Sequence, residues 1–304
     1  MGDDDRGRRG LPFRGTEAVA QGILTTHDLR VRCTRRMQDV HQVRGAGYGP
    51  DEHLRAAWSW APEGSVVAGL GAARLHGERM LADDRALKAG LDLYVPTRSR
   101  APRGVRLRIR NRHLRPEHVV TVDGIDCTSI ARTAADLGRW RRDPVESVVA
   151  VDALCRATGT PPAHLEPELK RMRPIHGLAR VLELLPLCDH RADSPPETRL
   201  RLVIRFSPLP DPEPQVAIRD GHGRHVATAD LGYRRERVAL FYDGEVHLQR
   251  EQRDWDANVT ARLTELGWRS LRITAGMLRA EQVLLRRIAD LLARQGHPPP
   301  APLR

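Results

Sequence analysis

The spacing of apolar and polar positions divides the chain into elements. Leu91-Asp-Leu-Tyr-Val95 and Val105-Arg-Leu-Arg-Ile109 alternate residue by residue, the period of half-buried strands. Gln215–Arg219 and Arg224–Asp230 flank the turn Asp220-Gly-His-Gly223 and read as a hairpin. Ala227–Tyr233 and Val238–His247 read as two short strands joined by the charged turn Arg234–Arg237. Val238–Tyr242 is apolar throughout, as in a strand covered on both faces. Thr121–Thr128 gives a turn and strand, and Ser270–Thr274 another strand. Helical spacing appears in Glu251–Leu266, with Trp255, Val259 and Leu263 on one face, and in Met277–Ala293. Ser129–Leu137 and Val145–Ala157 are predicted helices, and Pro161–Leu187 gives two more around Pro174 and Gly177. Asp51–Arg85 reads as mainly helical, and Ala72–Gly77 as a small-residue helix packed close to its neighbours. Ser194-Pro-Pro-Glu197 opens a helix with Ser at the N-cap, Pro at the first position and Glu at the third, a capping box.

These elements set the expected domains. Residues 1–15 are polar and glycine-rich and are expected to be disordered. Residues 16–50 suit a degenerate winged-helix-like module: two short helices, then a hairpin ending in Arg44-Gly-Ala-Gly-Tyr48. Its recognition helix would fall near Cys33–Val43, which lacks helical patterning, so a helical cap without DNA contact is the other reading. Residues 51–190 form an α+β middle domain, and polar Cys188–Asp193 marks a boundary. Residues 191–296 form the next domain, and 297–304 are a disordered proline-rich tail. Val66-Val-Ala-Gly-Leu-Gly71 is not a dinucleotide loop, because Arg74 takes the place of its third glycine.

Composition narrows the function. No apolar run reaches membrane-spanning length and the first residues carry no secretory apolar region, so a cytoplasmic protein without a membrane partner is expected. Cys33, Cys127, Cys155 and Cys188 are widely spaced and read as reduced thiols. The net charge of +11 points to a polyanion, with DNA the first candidate. Lys88 and Lys170 are the only lysines, so nearly all of the positive charge is arginine. Arg106, Arg108 and Arg110 on one strand, with Arg98, Arg100 and Arg103 in the preceding connection, form the densest basic stripe. It suits phosphate contacts or a solvated sheet face.

Asp230 and Asp243 come from adjacent strands, and His247 follows four residues later. Two strands delivering acids to one edge can build a divalent-metal site for phosphate chemistry. Alternatively, Asp230 caps a turn and Asp243-Gly244 is a turn dipeptide. Glu197 has the capping box as its structural role. His222 and His225 read as a solvated hairpin tip.

The order of elements after Ser194 is helix with Glu, hairpin, strand with Asp, strand with Tyr-Asp-Gly, helix, Gly267-Trp268, strand Leu271-Arg-Ile-Thr274 and helix. It resembles a family of mostly actinobacterial proteins whose C-terminal domain is similar to the very-short-patch mismatch repair endonuclease. That enzyme belongs to the restriction-endonuclease-like, PD-(D/E)xK class. Gly71–Gly77, Gly124–Ser129, Arg132-Thr-Ala-Ala-Asp136 and Val151–Leu154 carry the likeness through the middle. The N-terminal end is similar to abortive-infection type IV antitoxins. The resemblance implies an α/β fold at 191–296, a restriction-endonuclease-like mixed sheet flanked by helices, after an α+β region with the degenerate winged-helix-like start. It implies that Asp230 and the Tyr242 carbonyl hold Mg²⁺, that Glu197 stands near the active site, and that His247 is a general base oriented by Asp243. Arg234 and Arg235 join Arg98, Arg100, Arg103, Arg106 and Arg108 as DNA contacts. Phe241 stands where relatives carry glutamate, and no lysine follows Lys170, departing from the acid–spacer–lysine pattern. The implied activity is Mg²⁺-dependent DNA cleavage. The alternative is a catalytically inactive, antitoxin-like or transcription-regulator-like DNA-binding protein, with a toxin as a further partner.

Overall fold

The computed structural model describes residues 10–96, 100–101, 106–111, 114–172, 175–243 and 250–296, so the expected tail 297–304 lies outside the described residues. The chain is mixed α/β, with three sheets among the described residues. No described helix is long and apolar enough to cross a membrane.

The first sheet carries β1 (Phe13–Arg14), β2 (Cys33–Met37) and β3 (Val40–Val43) in the order β1-β3-β2. Helices α1 (Gly15–Ala20) and α2 (Thr26–Arg32) lie between β1 and β2. Thr25 and Asp28 cap α2 reciprocally, at 3.1 and 3.0 Å. Two expectations are corrected here. Residues 10–15 are ordered, because Phe13 and Arg14 pair with His41 and Val40. Residues 33–43 are a hairpin closed by Asp39 at φ 58°, and α2 is the helix before it.

The middle unit follows in the order α3 (Pro50–Trp60), β4 (Val66–Ala68), α4 (Gly69–Leu75), α5 (Asp84–Ala89), β5 (Leu91–Val95), β6 (Leu107–Asn111), β7 (Val119–Val122), β8 (Ile125–Thr128) and helices α6 (Ile130–Trp140), α7 (Pro144–Thr158), α8 (Pro162–Arg171) and α9 (Leu178–Leu184). Its mixed sheet runs β6-β5-β4-β8-β7. Strand β4 interrupts the stretch expected to be mainly helical, and its three residues are too few to show a period. Helix α4 packs as closely as its small residues predict: a Cβ on Gly71 would sit 2.5 Å from Leu91 Cδ1. Leu54, Leu87, Leu91 and Leu93 fill the core between α3–α5 and the sheet, and α6–α9 share a second core around Leu154 and Leu169.

The last unit begins with α10 (Pro195–Arg205). A meander of β9 (Glu213–Arg219), β10 (His225–Tyr233) and β11 (Val238–Asp243) follows. Helix α11 (Arg250–Glu265) carries the chain to β12 (Arg269–Thr274), which pairs parallel to β11. The chain continues through α12 (Ala275–Arg279) and α13 (Glu281–Arg294), so the single helix expected at 277–293 is two, broken at Ala280. The sheet order is β12-β11-β10-β9. Leu240 packs with α10 and α13, while its neighbour Ala239 packs with Leu263 of α11, so helices cover both faces.

Helix α7 joins the middle unit to α10. Glu146 receives Arg199 at 2.6 Å, and Asp152 receives Arg201 at 2.8 Å, Thr198 Oγ1 at 3.1 Å and the Asp189 N–H at 2.8 Å. Arg156 donates to the Asp193 carbonyl. Within the middle unit Glu78, 1% exposed, accepts the N–H groups of Met80, Leu81 and Ala82 at 2.8–3.1 Å. Removing an acceptor that satisfies several buried donors costs their desolvation. Glu78→Ala is therefore expected to lower stability by about 2–3 kcal/mol in urea unfolding, and Glu78→Gln by less. Unchanged stability in Glu78→Ala would contradict this role.

Candidate functional site

Asp230 lies on β10 where the sheet is irregular. The β10–β11 ladder runs from Tyr233↔Val238 to Leu231↔Leu240 and stops short of Asp230. There the Asp230 Oδ2 accepts the Tyr242 N–H at 2.5 Å, so a side chain takes the place of a ladder carbonyl. On the other side, the pairs Pro214↔Leu231 and Val216↔Ala229 bracket Gln215 opposite Asp230. Gln215 has φ 53°, a left-handed conformation unusual for a non-glycine residue in a strand. Its amide reaches Glu197 Oε2 at 3.2 Å, linking β9 to α10 beside Asp230.

Glu197 is buried at the start of α10. Its Oε1 accepts from Ser194 Oγ at 2.6 Å and its Oε2 from the Asp193 N–H at 2.8 Å. The capping role read from Ser194-Pro-Pro-Glu197 is thus present, with Asp193 supplying the second backbone donor. Burial nevertheless raises the Glu197 pKa, with these hydrogen bonds opposing. Burial also pushes Asp230 up to about 7. The Tyr242 N–H opposes this, the nearby carboxylates Glu197 and Asp193 add to it, and Arg272 works against it. Arg272 stands on β12 in register with Phe241, its guanidinium carbon 6.0 Å from that ring.

The structure therefore brings together Asp230, Glu197 and the Tyr242 backbone, and adds Asp193, Gln215 and Arg272. The Tyr242 contact is through its N–H, whereas the resemblance assigned its carbonyl to the metal. Asp243 is exposed at the end of β11. His247 lies outside the described residues. Both oxygens of Glu197 and one of Asp230 already accept hydrogen bonds. Among the described residues no group of three His, Cys, Asp or Glu side chains could hold a metal ion.

The basic residues divide as well. Arg98 and Arg103 lie outside the described residues, while Arg100, Arg106 and Arg235 are exposed. The sequence offers Arg108 as a phosphate contact or as part of a solvated sheet face. Instead it forks onto Asp92 at 3.0 and 2.7 Å, because that buried acid needs a counter-charge. Arg234 pairs with Glu213 at 2.7 Å, so its charge too is partly compensated. Gln215 and Arg272 carry no local signal in the sequence, since only long-range strand pairing brings them to Asp230.

The Asp230 carboxyl stays protonated to about pH 7 in the folded chain, against an ordinary 3.8. Unfolding between these values releases a proton. The resulting destabilisation is absent below 3.8, grows as pH rises and is complete above 7. In EDTA, Asp230→Asn should raise the urea midpoint above pH 7, with the gain shrinking toward pH 4. A pH-independent difference would contradict the raised pKa.

No family profile and no solved structure matches the chain. The chain is similar to the uncharacterised protein MT2308 of Mycobacterium tuberculosis strain CDC 1551 and to Rv2248 of strain H37Rv. Each is 31% identical over 166 residues, which cover 53% of this chain and 59% of the relative. The match thus spans about three-fifths of the length of either relative.

Proposed function

We propose that this chain is a DNA-binding protein whose N-terminal module reads the duplex and whose C-terminal unit is restriction-endonuclease-like. The observation that carries the reading is α2. It follows β1 and α1, precedes the β2–β3 hairpin, and buries none of its residues. That is the place of a recognition helix with a wing behind it. His27, Arg30 and Arg32 on α2, and Arg35 and Arg44 on the hairpin and just after it, are exposed. Asp28 offsets part of this charge through Arg32 at 3.5 Å. The helix–three strands–helix–strand–helix order of the last unit supports the nuclease-like assignment. The commitment of Glu197 to its cap, Phe241 and the absence of lysine after Lys170 favour binding without cleavage.

A second reading, phosphodiester hydrolysis, draws on one observation: Asp230, Glu197 and Asp193 lie near enough to raise the Asp230 pKa together. Plasmid and mismatched duplex incubated with Mg²⁺ or Mn²⁺ should stay intact under the binding reading. Nicking by the wild type that Asp230→Ala abolishes would establish hydrolysis instead.

For binding, anisotropy of a labelled duplex should show affinity falling steeply with salt, because phosphate contacts release counterions. Arg30→Gln with Arg32→Gln should flatten the log–log salt slope by about 2. Absence of duplex binding at low salt would remove the DNA reading.

A further inference from the structure

The middle unit holds a cluster of arginines that its acids do not balance. Arg108 and Arg110 both bond Asp92, at 2.7 and 2.8 Å. Arg132 and Arg139 both bond Asp136, at 3.2 and 2.8 Å, and both donate to the Tyr94 hydroxyl. The Arg110 guanidinium carbon stacks 3.5 Å from the Trp140 ring centre, and that of Arg139 lies 4.9 Å from the same ring. The guanidinium of Arg141, next in the chain, makes one hydrogen bond among the described residues, to the Leu137 carbonyl at 2.8 Å, and no ion pair there. Four guanidinium groups thus share two carboxylates, while the fifth, that of Arg141, has Glu146, Asp92 and Glu78 acting on it without a direct ion pair.

Burial lowers the Arg141 pKa, with Glu146, Asp92 and Glu78 opposing, and the other neighbouring titratable groups add no negative charge. Burial raises the Tyr94 pKa, which keeps the phenol neutral, and burial with Arg132 lowers that of His118. A network serving only to hold α6 on the sheet would gain nothing from uncompensated charge, because each partly buried cation carries a desolvation cost. The C-terminal end of α6 offsets roughly half a charge. Two donors in the stack, Arg110 Nε and Trp140 Nε1, are buried and have no acceptor among the described residues. The cluster reaches solvent through Arg108 and Arg110, whose side chains are 53% and 31% exposed, while that of Arg139 is 13% exposed and Arg141 is half-buried.

We propose that the Arg110–Trp140 stack, with Arg139 and Arg141, is a second DNA contact that clamps the phosphodiester backbone. Arginine supplies both parts of such a clamp: a planar face that stacks on the indole and an edge of N–H donors for phosphate oxygens. Asp92 and Asp136 anchor the inner arginines, so the surplus charge is held in place before DNA arrives. The inference rests on the DNA-binding reading and adds a surface on the middle unit to the N-terminal module.

The test uses the full chain and a short labelled duplex, with affinity measured by anisotropy over a series of KCl concentrations. Arg110→Gln with Arg141→Gln should give a log–log salt slope shallower than wild type by about 1.8. Arg110→Lys with Arg141→Lys keeps the charge and should retain most of the slope, which guards against misfolding of the Gln pair. Arg286→Gln with Arg287→Gln removes two exposed charges from α13 and should leave the slope unchanged. A wild-type slope in the Arg110/Arg141 Gln pair, or an equal loss in the α13 pair, would overturn the clamp. If the Arg30/Arg32 pair loses binding while the Arg110/Arg141 pair does not, DNA binding stands and the clamp is wrong. A wild type that binds no duplex overturns both.

Discussion

A carboxylate removed from water must be met by donors, and the architecture of this chain follows from how it meets that requirement. Glu78 gathers backbone N–H groups, Asp92 and Asp136 each take two arginines, and Asp152 takes Arg201, Thr198 and a backbone N–H. These bonds tie together segments that small apolar cores alone would hold loosely. Aromatics are scarce, at 4% of residues, and alanine makes up much of the core. Arginine is the fitting cation for the task, because its planar fork satisfies two acceptor atoms at once and loses its charge least readily. Helix α7 shows the result at the largest scale. Glu146, Asp152 and Arg156 on one helix fix α10 and the loop before it, and with them the position of Glu197.

Burial pushes Asp152 and Asp230 alike up to about 7, but the two acids have different partners. Among the described residues Asp230 has one backbone donor, two acids near by and Arg272 as an opposing cation. Burial and like charge therefore act in the same direction, which is why its pKa rises so far. The same arrangement explains the strand irregularity: β10 leaves the β11 ladder at this residue, and Gln215 across from it takes a left-handed backbone and turns its amide toward Glu197. Such local departures from ideal geometry cluster at functional sites. Here they lie beside two acids, Asp230 and Glu197, whose donors do not offset their burial.

Much of the fold was legible because its signals are local. The alternation in Leu91–Val95, the N-cap at Ser194 and the hairpin around Asp220–Gly223 each depend on residues a few positions apart, and the structure contains all three, although the backbone donor to Glu197 is Asp193 and not Ser194. The hairpin at 33–43 was harder: Arg35 and Arg36 interrupt its alternation, and Asp39 supplies the turn without the usual glycine. The site was only half legible. Asp230 and Glu197 stood out as acids among apolar neighbours, but whether they meet depends on the β9–β10 register and on α7 holding α10. The pairing of Arg108 with Asp92 was hidden in the same way, since parallel pairing of β5 with β6 brings together residues sixteen positions apart. Outward-facing arginines on an alternating strand look identical in sequence whether they face solvent or a buried acid.

The central claim is that Asp230 is an undercompensated acid, and its own titration tests this most directly. In protein labelled with ¹³C at aspartate carboxyl carbons, Asp230→Asn identifies the resonance, which is followed with pH in EDTA. A midpoint near 7 is the expected result. A midpoint at or below the ordinary aspartate value of 3.8 would show that donors at the site compensate the charge after all, and would contradict the account.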